Sequence, residues 1–135
     1  MSDHYTLFFD GCSKGNPGKA GAGAVIYRNQ IEIYSQSGFV GEKISNNVAE
    51  YTGLLYGLRK AVELNISTLI VKGDSMLAIK QMRGDFKVSS PSLIPLYNEA
   101  KLLEKNIGCV QYEHVYREFN KRADGLANDG LLLAN

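Results

Sequence analysis

The sequence has few of the features that mark membrane, disulfide-bonded or zinc proteins. It contains no run of about 18 apolar residues, no tryptophan, two cysteines and three prolines. Cys12 and Cys109 lie far apart and form no C-x-x-C pair, so their spacing supports neither a disulfide framework nor a zinc site. No signal peptide precedes the first apolar run. These absences predict a cytoplasmic protein with no membrane partner.

The sequence also lacks an excess of positive or negative charge. Lysine and arginine number 15 against 14 aspartates and glutamates, which gives a formal charge of +1. This balance excludes a generally basic wrapper of nucleic acid, because only a local cluster of cations is available to bind a polyanion. At roughly 150 residues per domain, the 135 residues predict one domain over 1–135. No heptad pattern is present, which favours a monomer.

The hydrophobic pattern predicts a mixed α/β fold. Strands are expected at 5–9, 22–27, 31–37, 68–71 and 110–116, and helices at 45–65, about 77–82, 93–106 and 120–132. The glycine-rich stretch 13–23 is expected to be a long turn, and 28–30 a three-residue hairpin loop. The order βββαβααβα predicts a five-stranded mixed sheet, with three antiparallel strands followed by two parallel ones and helices on both faces.

Four carboxylates occupy positions that ordinary surface acids do not. Asp10 and Asp74 each follow a predicted strand, at the edge of the sheet where ligands of open α/β sheets collect. Glu50 has Leu54 and Leu58 at i+4 and i+8, which places it on the buried stripe of its helix. Asp124 lies on the side of the last helix that is expected to pack inward. Four separate elements therefore direct acids towards one region.

The composition of this set indicates its chemistry. Crowded carboxylates repel one another unless protons or cations neutralise them. A set of oxygen ligands without His or Cys suits hard ions such as Mg²⁺ or Mn²⁺. The reaction that such a set serves best is two-metal phosphoryl transfer, which requires no nucleophilic side chain.

Each acid also has a simpler structural explanation. Asp10 is followed by glycine, as a turn residue often is, and Asp74 precedes a helix that it is able to cap. Glu50 is explained by the dipole of its helix if it lies in the first turn. Asp124 becomes a surface residue if the helix boundary is shifted by one or two positions. The set favours a site because four such coincidences are required together.

The acids lie in segments that resemble the type 1 ribonuclease H family. The matching residues are 9–18, 45–51, 73–75 and 120–127, which occur in the family's order over nearly the whole chain. The resemblance is to a compact form, since the basic helical hairpin of some bacterial relatives is missing and only Lys80, Arg83 and Lys87 are nearby. It implies a ribonuclease H-like fold. It also implies endonucleolytic hydrolysis of the RNA strand of an RNA/DNA hybrid with 3′-hydroxyl and 5′-phosphate ends, using two Mg²⁺ ions that Mn²⁺ is able to replace.

The same resemblance implies roles for individual residues. Asp10 would bridge both ions, Glu50 and Asp74 would hold the ion nearer the leaving group, and Asp124 would hold the ion that carries the attacking water. The residues that would approach the RNA 2′-hydroxyls are Gly11, Ser13, Gly15, Asn16 and Asn46. Ser45 and Asn47 would lie near the DNA strand, although Ser45 is equally explained as a helix cap.

Two other functions and several residues stay open at this point. The missing hairpin, together with Met76 at a position where many relatives carry glutamine, leaves room for a binding module without turnover. Fold alone does not fix the substrate, so a two-metal nuclease for another nucleic acid is a third possibility. His114 and Arg117 have structural readings as a strand residue and a surface cation. A Cys/His protease built on Cys12 and His114 lacks the usual local signatures.

Overall fold

The computed structural model describes residues 3–133 and contains one five-stranded sheet. The strands lie in the spatial order β3-β2-β1-β4-β5. Their bounds are β1 Tyr5–Lys14, β2 Gly18–Arg28, β3 Ile31–Ile44, β4 Thr68–Gly73 and β5 Cys109–His114. β1 to β3 form an antiparallel meander, and β4 and β5 continue the sheet in parallel. The predicted fold class, strand number and mixture of directions are therefore confirmed.

Four helices cover the two faces of the sheet. They are α1 Asn46–Glu63, α2 Met76–Arg83, α3 Ile94–Ile107 and α4 Lys121–Leu131, and a single 3₁₀ turn, Arg117–Phe119, precedes α4. The main apolar cluster lies between the sheet and α1, where Leu7 and Phe9 pack with Leu54 and Leu58. On the opposite face α4 crosses β2 so closely that Gly23 lies against Leu126. The helices on both faces therefore pack against the central strands of the sheet.

The first hairpin is longer than the sequence pattern predicts. β1 continues through Asp10 to Lys14 and β2 begins at Gly18, so most of the predicted turn over 13–23 is strand. The first residues of β2 are glycine and alanine, which have low strand propensity, so they resemble a loop in the sequence. They form a strand because they pair with β1 and β3, and Gly21 and Gly23 have no side chain because α4 packs closely against them.

The second hairpin and several element ends also differ from the prediction. Its loop has two residues, Asn29 and Gln30, both with positive φ, instead of three. This is the geometry of a tight hairpin whose twist matches its strands. β3 extends to Ile44 because it pairs with β2 along its whole length, and β5 ends at His114, two residues early. Among the described helices none combines the length and apolar character that a bilayer span requires.

Candidate active site

Asp10 and Asp74 are brought together by the point at which β4 stops. The last parallel pair between β1 and β4 joins Phe9 to Gly73, so each aspartate follows that pair directly. The expectation that the first strand ends before Asp10 is wrong, because β1 continues by pairing with β2. The edge exists nevertheless, since beyond Gly73 β1 no longer pairs with β4. The two carboxylates therefore share the gap that β4 leaves.

Glu50 reaches the same gap from the helix above the sheet. The Gly11 amide donates a hydrogen bond to Glu50 Oε1 at 3.2 Å. A β-carbon on Gly11 would lie 2.1 Å from the carbonyl carbon of Ala49, so α1 approaches β1 only because residue 11 has no side chain. Glu50 is buried as a result, with 8% of its surface exposed. Glycine at position 11 has a packing role that the sequence did not reveal.

Carboxylate oxygens of Asp10, Glu50 and Asp74 all lie within 4.8 Å of one another. Asp124 lines the same cavity from α4, and its side chain is 30% exposed. The cavity has a volume of about 600 Å³ and is open to solvent. Three of the four predicted acids thus form one tight cluster, and the fourth stands at its border.

Burial and mutual repulsion oppose ionisation of this cluster. Burial is the largest cause that raises the pKa of Asp10, to about 7, and the charge of Asp74 adds to it, while a hydrogen bond with Glu50 acts in the opposite direction. The pKa of Glu50 is raised well above its ordinary value, again by burial first and then by the charge of Asp10. The cluster therefore binds protons at neutral pH unless another positive charge replaces them.

The site fits a divalent cation on three grounds. The donor atoms are all oxygens, which hard cations prefer. Glu50 Oε2 is buried and has no hydrogen-bond partner, a costly state for a carboxylate oxygen that a bound cation would relieve. The oxygens also come from three separate elements, β1, α1 and the end of β4. These residues are suited to hold a metal ion.

The simpler explanations for three of the acids fail in the structure. Asp74 does not cap α2, because Ser75 Oγ accepts the hydrogen bond from the Ala78 amide at 3.1 Å. Glu50 is the fifth residue of α1 and lies outside its first turn. Asp10 lies within β1 and not in a turn. None of the three has the structural role that its local sequence offers.

Asp124 is oriented by its own helix. Asn128, one turn later on α4, donates to the Asp124 carbonyl at 2.9 Å and approaches its Oδ1 at 3.4 Å. Arg117 Nη2 lies 3.9 Å from the same Oδ1, although the arginine side chain is 82% exposed. An exposed pair of this length contributes little to stability. Its effect is to place an exposed cation at the border of the cavity.

The seven residues predicted to contact nucleic acid divide into two groups. Those that line the cavity are Gly11, Ser13, Asn46 and Asn47. Gly15, Asn16 and Ser45 are outside the set that lines it.

The residues outside the cavity lining support those that line the cavity. Asn16 Oδ1 accepts from the Asn46 amide at 2.9 Å, and Asn46 Oδ1 accepts from the Ser13 amide at 2.8 Å. Ser45 Oγ accepts from the Val48 amide, so Ser45 is the N-cap of α1. Gly15 has a φ of 111°, which favours glycine in the turn. The turn and the helix start therefore form one hydrogen-bonded unit.

Several residues at the site were not singled out from the sequence for it. Lys14, Tyr116 and Asn128 line the cavity, and His114 and Arg117 stand beside them. Asn120 is 1% exposed and donates to the Phe9 carbonyl at 2.9 Å, which fixes α4 to the strand residue before Asp10. Only Asn128 had a sequence signal, a polar residue at i+4 from Asp124.

Comparison with known proteins places the chain in a family. Residues 8–130 match the model of the reverse transcriptase-like family. The bifunctional protein Rv2228c of Mycobacterium tuberculosis is 42% identical over 123 residues, which cover 90% of this chain but 34% of that protein. Ribonuclease HI of Halobacterium salinarum is 35% identical over 92% of this chain and 62% of its own length. The chain thus spans only a part of these curated relatives.

Solved structures agree in fold and in extent. The N-terminal RNase H domain of Rv2228c matches with a TM-score of 0.92 and 40% identity, over 96% of this chain and 94% of that one. RNase H1 of Halobacterium salinarum matches with a TM-score of 0.90 and 32% identity, over 97% of this chain and 99% of that one. LC11-RNase H1, solved in complex with an RNA/DNA hybrid, matches with a TM-score of 0.88 and 31% identity. The match covers 94% of this chain and 96% of that one. With its carboxylates, topology and relatives in agreement, the chain belongs to the type 1 ribonuclease H family.

Proposed function

We propose that this protein is a ribonuclease H, an endonuclease that hydrolyses the RNA strand of RNA/DNA hybrids and leaves 3′-hydroxyl and 5′-phosphate ends. The observation that carries the proposal is the cluster of Asp10, Glu50 and Asp74, with a buried and unpartnered oxygen on Glu50. The hybrid bound to the related LC11-RNase H1 supports the substrate class. The cofactor is Mg²⁺, two ions per site, and Mn²⁺ is able to replace it.

The four carboxylates divide the work of holding the ions. Asp10 would be shared by both ions, Glu50 and Asp74 would hold the ion on the side of the leaving group, and Asp124 would hold the ion on the side of the attacking water. When bound, such ions lower the pKa of a water molecule and stabilise charge on the departing 3′ oxygen. Asn128 keeps Asp124 turned towards the cavity, and the Gly11 amide keeps Glu50 in place.

The residues of the first turn and of the start of α1 select the substrate. Asn46 and Ser13 lie on the cavity wall, where amide and hydroxyl groups suit contacts with RNA 2′-hydroxyls. Asn16 supports that wall by accepting from the Asn46 amide, and Gly15 allows the turn that precedes Asn16. Ser45, the N-cap of α1, and Asn47, in the first turn of α1, are suited to contact phosphates of the DNA strand without reading its sequence.

The test is cleavage of an end-labelled RNA/DNA hybrid with Mg²⁺, with Mn²⁺ and with EDTA. We expect the RNA strand alone to be cut, and only in the presence of a metal ion. The downstream fragments should be ligated without prior phosphorylation, and the upstream fragments should be extended by a polymerase. Duplex DNA and duplex RNA serve as controls for the substrate.

The matched variants are Asp10→Asn and Asp129→Asn. Asp10→Asn removes a ligand from the centre of the cluster and is expected to lower turnover by at least about a thousandfold. Asp129→Asn removes an exposed acid from α4 that does not line the cavity, and it should retain wild-type activity. Full activity in Asp10→Asn would refute the mechanism. Hybrid binding without cleavage in either metal would identify a binding module instead, and cleavage of another nucleic acid would change the substrate.

A further inference from the structure

The rim of the cavity carries an aromatic side chain that the proposed chemistry does not use. Tyr116 lines the cavity together with the four carboxylates, and it is 70% exposed. It precedes the 3₁₀ turn Arg117–Phe119, which connects β5 to α4. A large ring at this position presents apolar surface at the mouth of a site that takes a polyanion.

The backbone holds Tyr116 next to the carboxylates. The Val115 amide donates to the Gly73 carbonyl at 2.9 Å, and Gly73 directly precedes Asp74. On the other side of the tyrosine, the Phe119 amide donates to the Tyr116 carbonyl at 2.9 Å. The first bond fixes the chain before Tyr116 relative to the end of β4, and the second holds Tyr116 at the start of the 3₁₀ turn.

The ring itself is supported from one side. The imidazole of His114 meets it edge to face, with the centroids 5.7 Å apart and the planes at 84°. Such a contact restricts the ring at small energetic cost. Tyr116 is nevertheless 70% exposed, so most of its surface is available to a ligand.

The chemistry of a hybrid limits what this ring is able to contact. Bases in a duplex are stacked on one another, so their faces are not available to a protein aromatic as they are in a single strand. The sugars that flank a phosphate at the protein surface do present C–H groups, and the tyrosine hydroxyl is able to donate to a phosphate oxygen. Contacts of this kind are independent of sequence.

We propose that Tyr116 is a substrate-contacting residue that packs its ring on a sugar beside the phosphate to be cut, and so contributes hybrid affinity. This inference rests on the proposed function. It assigns part of the contact with the duplex to the loop after β5, in a chain whose described residues contain no basic helical hairpin.

The chain offers a matched control in Phe119. This residue belongs to the same turn and is 67% exposed, but it does not line the cavity. Tyr116→Ala and Phe119→Ala therefore remove similar rings with similar exposure from one short segment. Tyr116→Phe separates the contribution of the ring from that of the hydroxyl.

The experiment is steady-state cleavage of a short hybrid in Mg²⁺ by the wild type and the three variants. We expect Tyr116→Ala to raise KM about five- to tenfold, with a smaller change in kcat. Tyr116→Phe and Phe119→Ala should remain within about twofold of the wild-type KM. Thermal melting of each variant checks the fold, and an exposed ring should leave Tm nearly unchanged.

The outcomes separate this inference from the function on which it rests. If the wild type cuts the hybrid and Tyr116→Ala behaves like Phe119→Ala, the inference is overturned and the function stands. If the wild type cuts no hybrid, the proposed function fails, and hybrid affinity is then compared by fluorescence anisotropy with and without Tyr116→Ala. A five- to tenfold loss of affinity supports the contact, and equal affinity overturns it.

Discussion

At the scale of single residues, the site is a set of acids held in an unfavourable state. Asp10 and Glu50 are both buried, and carboxylate oxygens of the two lie in one cluster. Burial raises the pKa of each, so the metal-free protein must either bind protons there or tolerate buried negative charge. Metal binding and folding stability are therefore coupled at these two side chains.

Replacing Glu50 with glutamine is expected to stabilise the metal-free protein in a pH-dependent way. The pKa of Glu50 is higher in the folded protein than in the unfolded chain. The carboxyl group therefore does not lower the free energy of unfolding at pH values below its unfolded-state pKa. Above that pKa the free energy of unfolding falls as the pH rises through the folded-state pKa. In EDTA, Glu50→Gln should raise Tm by roughly 4 °C at about pH 8 and by much less at about pH 5. The same variant should lose nuclease activity.

Thermal melting at the two pH values, with Glu63→Gln as control, checks this expectation. Glu63 lies at the other end of α1 and forms an exposed pair with Lys60. Its replacement should change Tm little at either pH. An equal gain for Glu50→Gln at both pH values would contradict the role of ionisation.

The acids were more predictable from the sequence than their neighbours. Glu50 was placed on a buried stripe because leucines recur at helical spacing around it, and the structure buries it. Asn120 was not recognised, because a single asparagine before a helix is indistinguishable from a cap. Its bond to the Phe9 carbonyl joins residues 111 positions apart, and no local pattern reports such a contact.

At the scale of elements, the site depends on how closely two helices approach one sheet. Gly11 admits α1 on one face, and Gly23 admits α4 on the other. A β-carbon on Gly23 would lie 2.5 Å from Leu126 Cβ and 2.7 Å from the Ala127 amide nitrogen. Because Asp124 belongs to the same helix, any displacement of α4 also moves a carboxylate of the site.

Gly23→Ala is expected to destabilise the protein by about 1 to 3 kcal/mol, because the helix must shift to admit the new methyl group. Activity should fall further than stability alone requires. Gly125→Ala is the matched control: Gly125 lies within α4, and a β-carbon there would meet nothing within 4 Å. That change should raise stability by up to about 1 kcal/mol, since alanine is the better helix former.

Denaturant unfolding of both variants, monitored by circular dichroism, tests this contrast. Equal effects of the two substitutions would show that the spacing between α4 and β2 is less strict than the structure indicates. A stable Gly23→Ala protein with wild-type activity would show that α4 does not fix the position of Asp124.

The order of elements was predictable, and the lengths of the first strands were not. Apolar periodicity separates helices from strands in this chain, and the predicted order βββαβααβα is the observed one, with an added 3₁₀ turn. The sequence pattern predicts a loop at the start of β2, because the glycines and alanines there carry no strand signal. These small residues are explained by the packing of α4 and α1, which depends on residues far away in the sequence.

At the scale of the whole molecule, affinity for a polyanion must come from few charges. The formal charge is +1, and the cations that line the cavity are Lys14 and Arg117. The segment 80–87 adds only three cations, Lys80, Arg83 and Lys87. Position and shape therefore carry more of the recognition than the long-range field.

Hybrid binding is expected to depend weakly on salt. For about two or three phosphates neutralised, the logarithm of the affinity should fall against the logarithm of the salt concentration with a slope of roughly −2 to −3. Fluorescence anisotropy with the Asp10→Asn protein, at fixed Mg²⁺ and varied KCl, measures this slope. Lys14→Ala should make it shallower by about 1.

Lys105→Ala provides the control, since Lys105 lies on α3 and does not line the cavity. It should leave the slope unchanged. A slope of about −6 or steeper in the Asp10→Asn protein without a lysine substitution would reveal a second basic surface that contacts the hybrid.

The position of β1 at the centre of the sheet has a consequence for how activity arises during folding. This strand pairs with neighbours on both sides and is tied to Asn120 near the other end of the described residues. The four acids come from positions 10, 50, 74 and 124, so the set is complete only when segments far apart in the sequence are in contact, and such contacts make folding slower. A partly folded chain therefore lacks a complete set, and recovery of cleavage on refolding should report the final assembly step of the molecule.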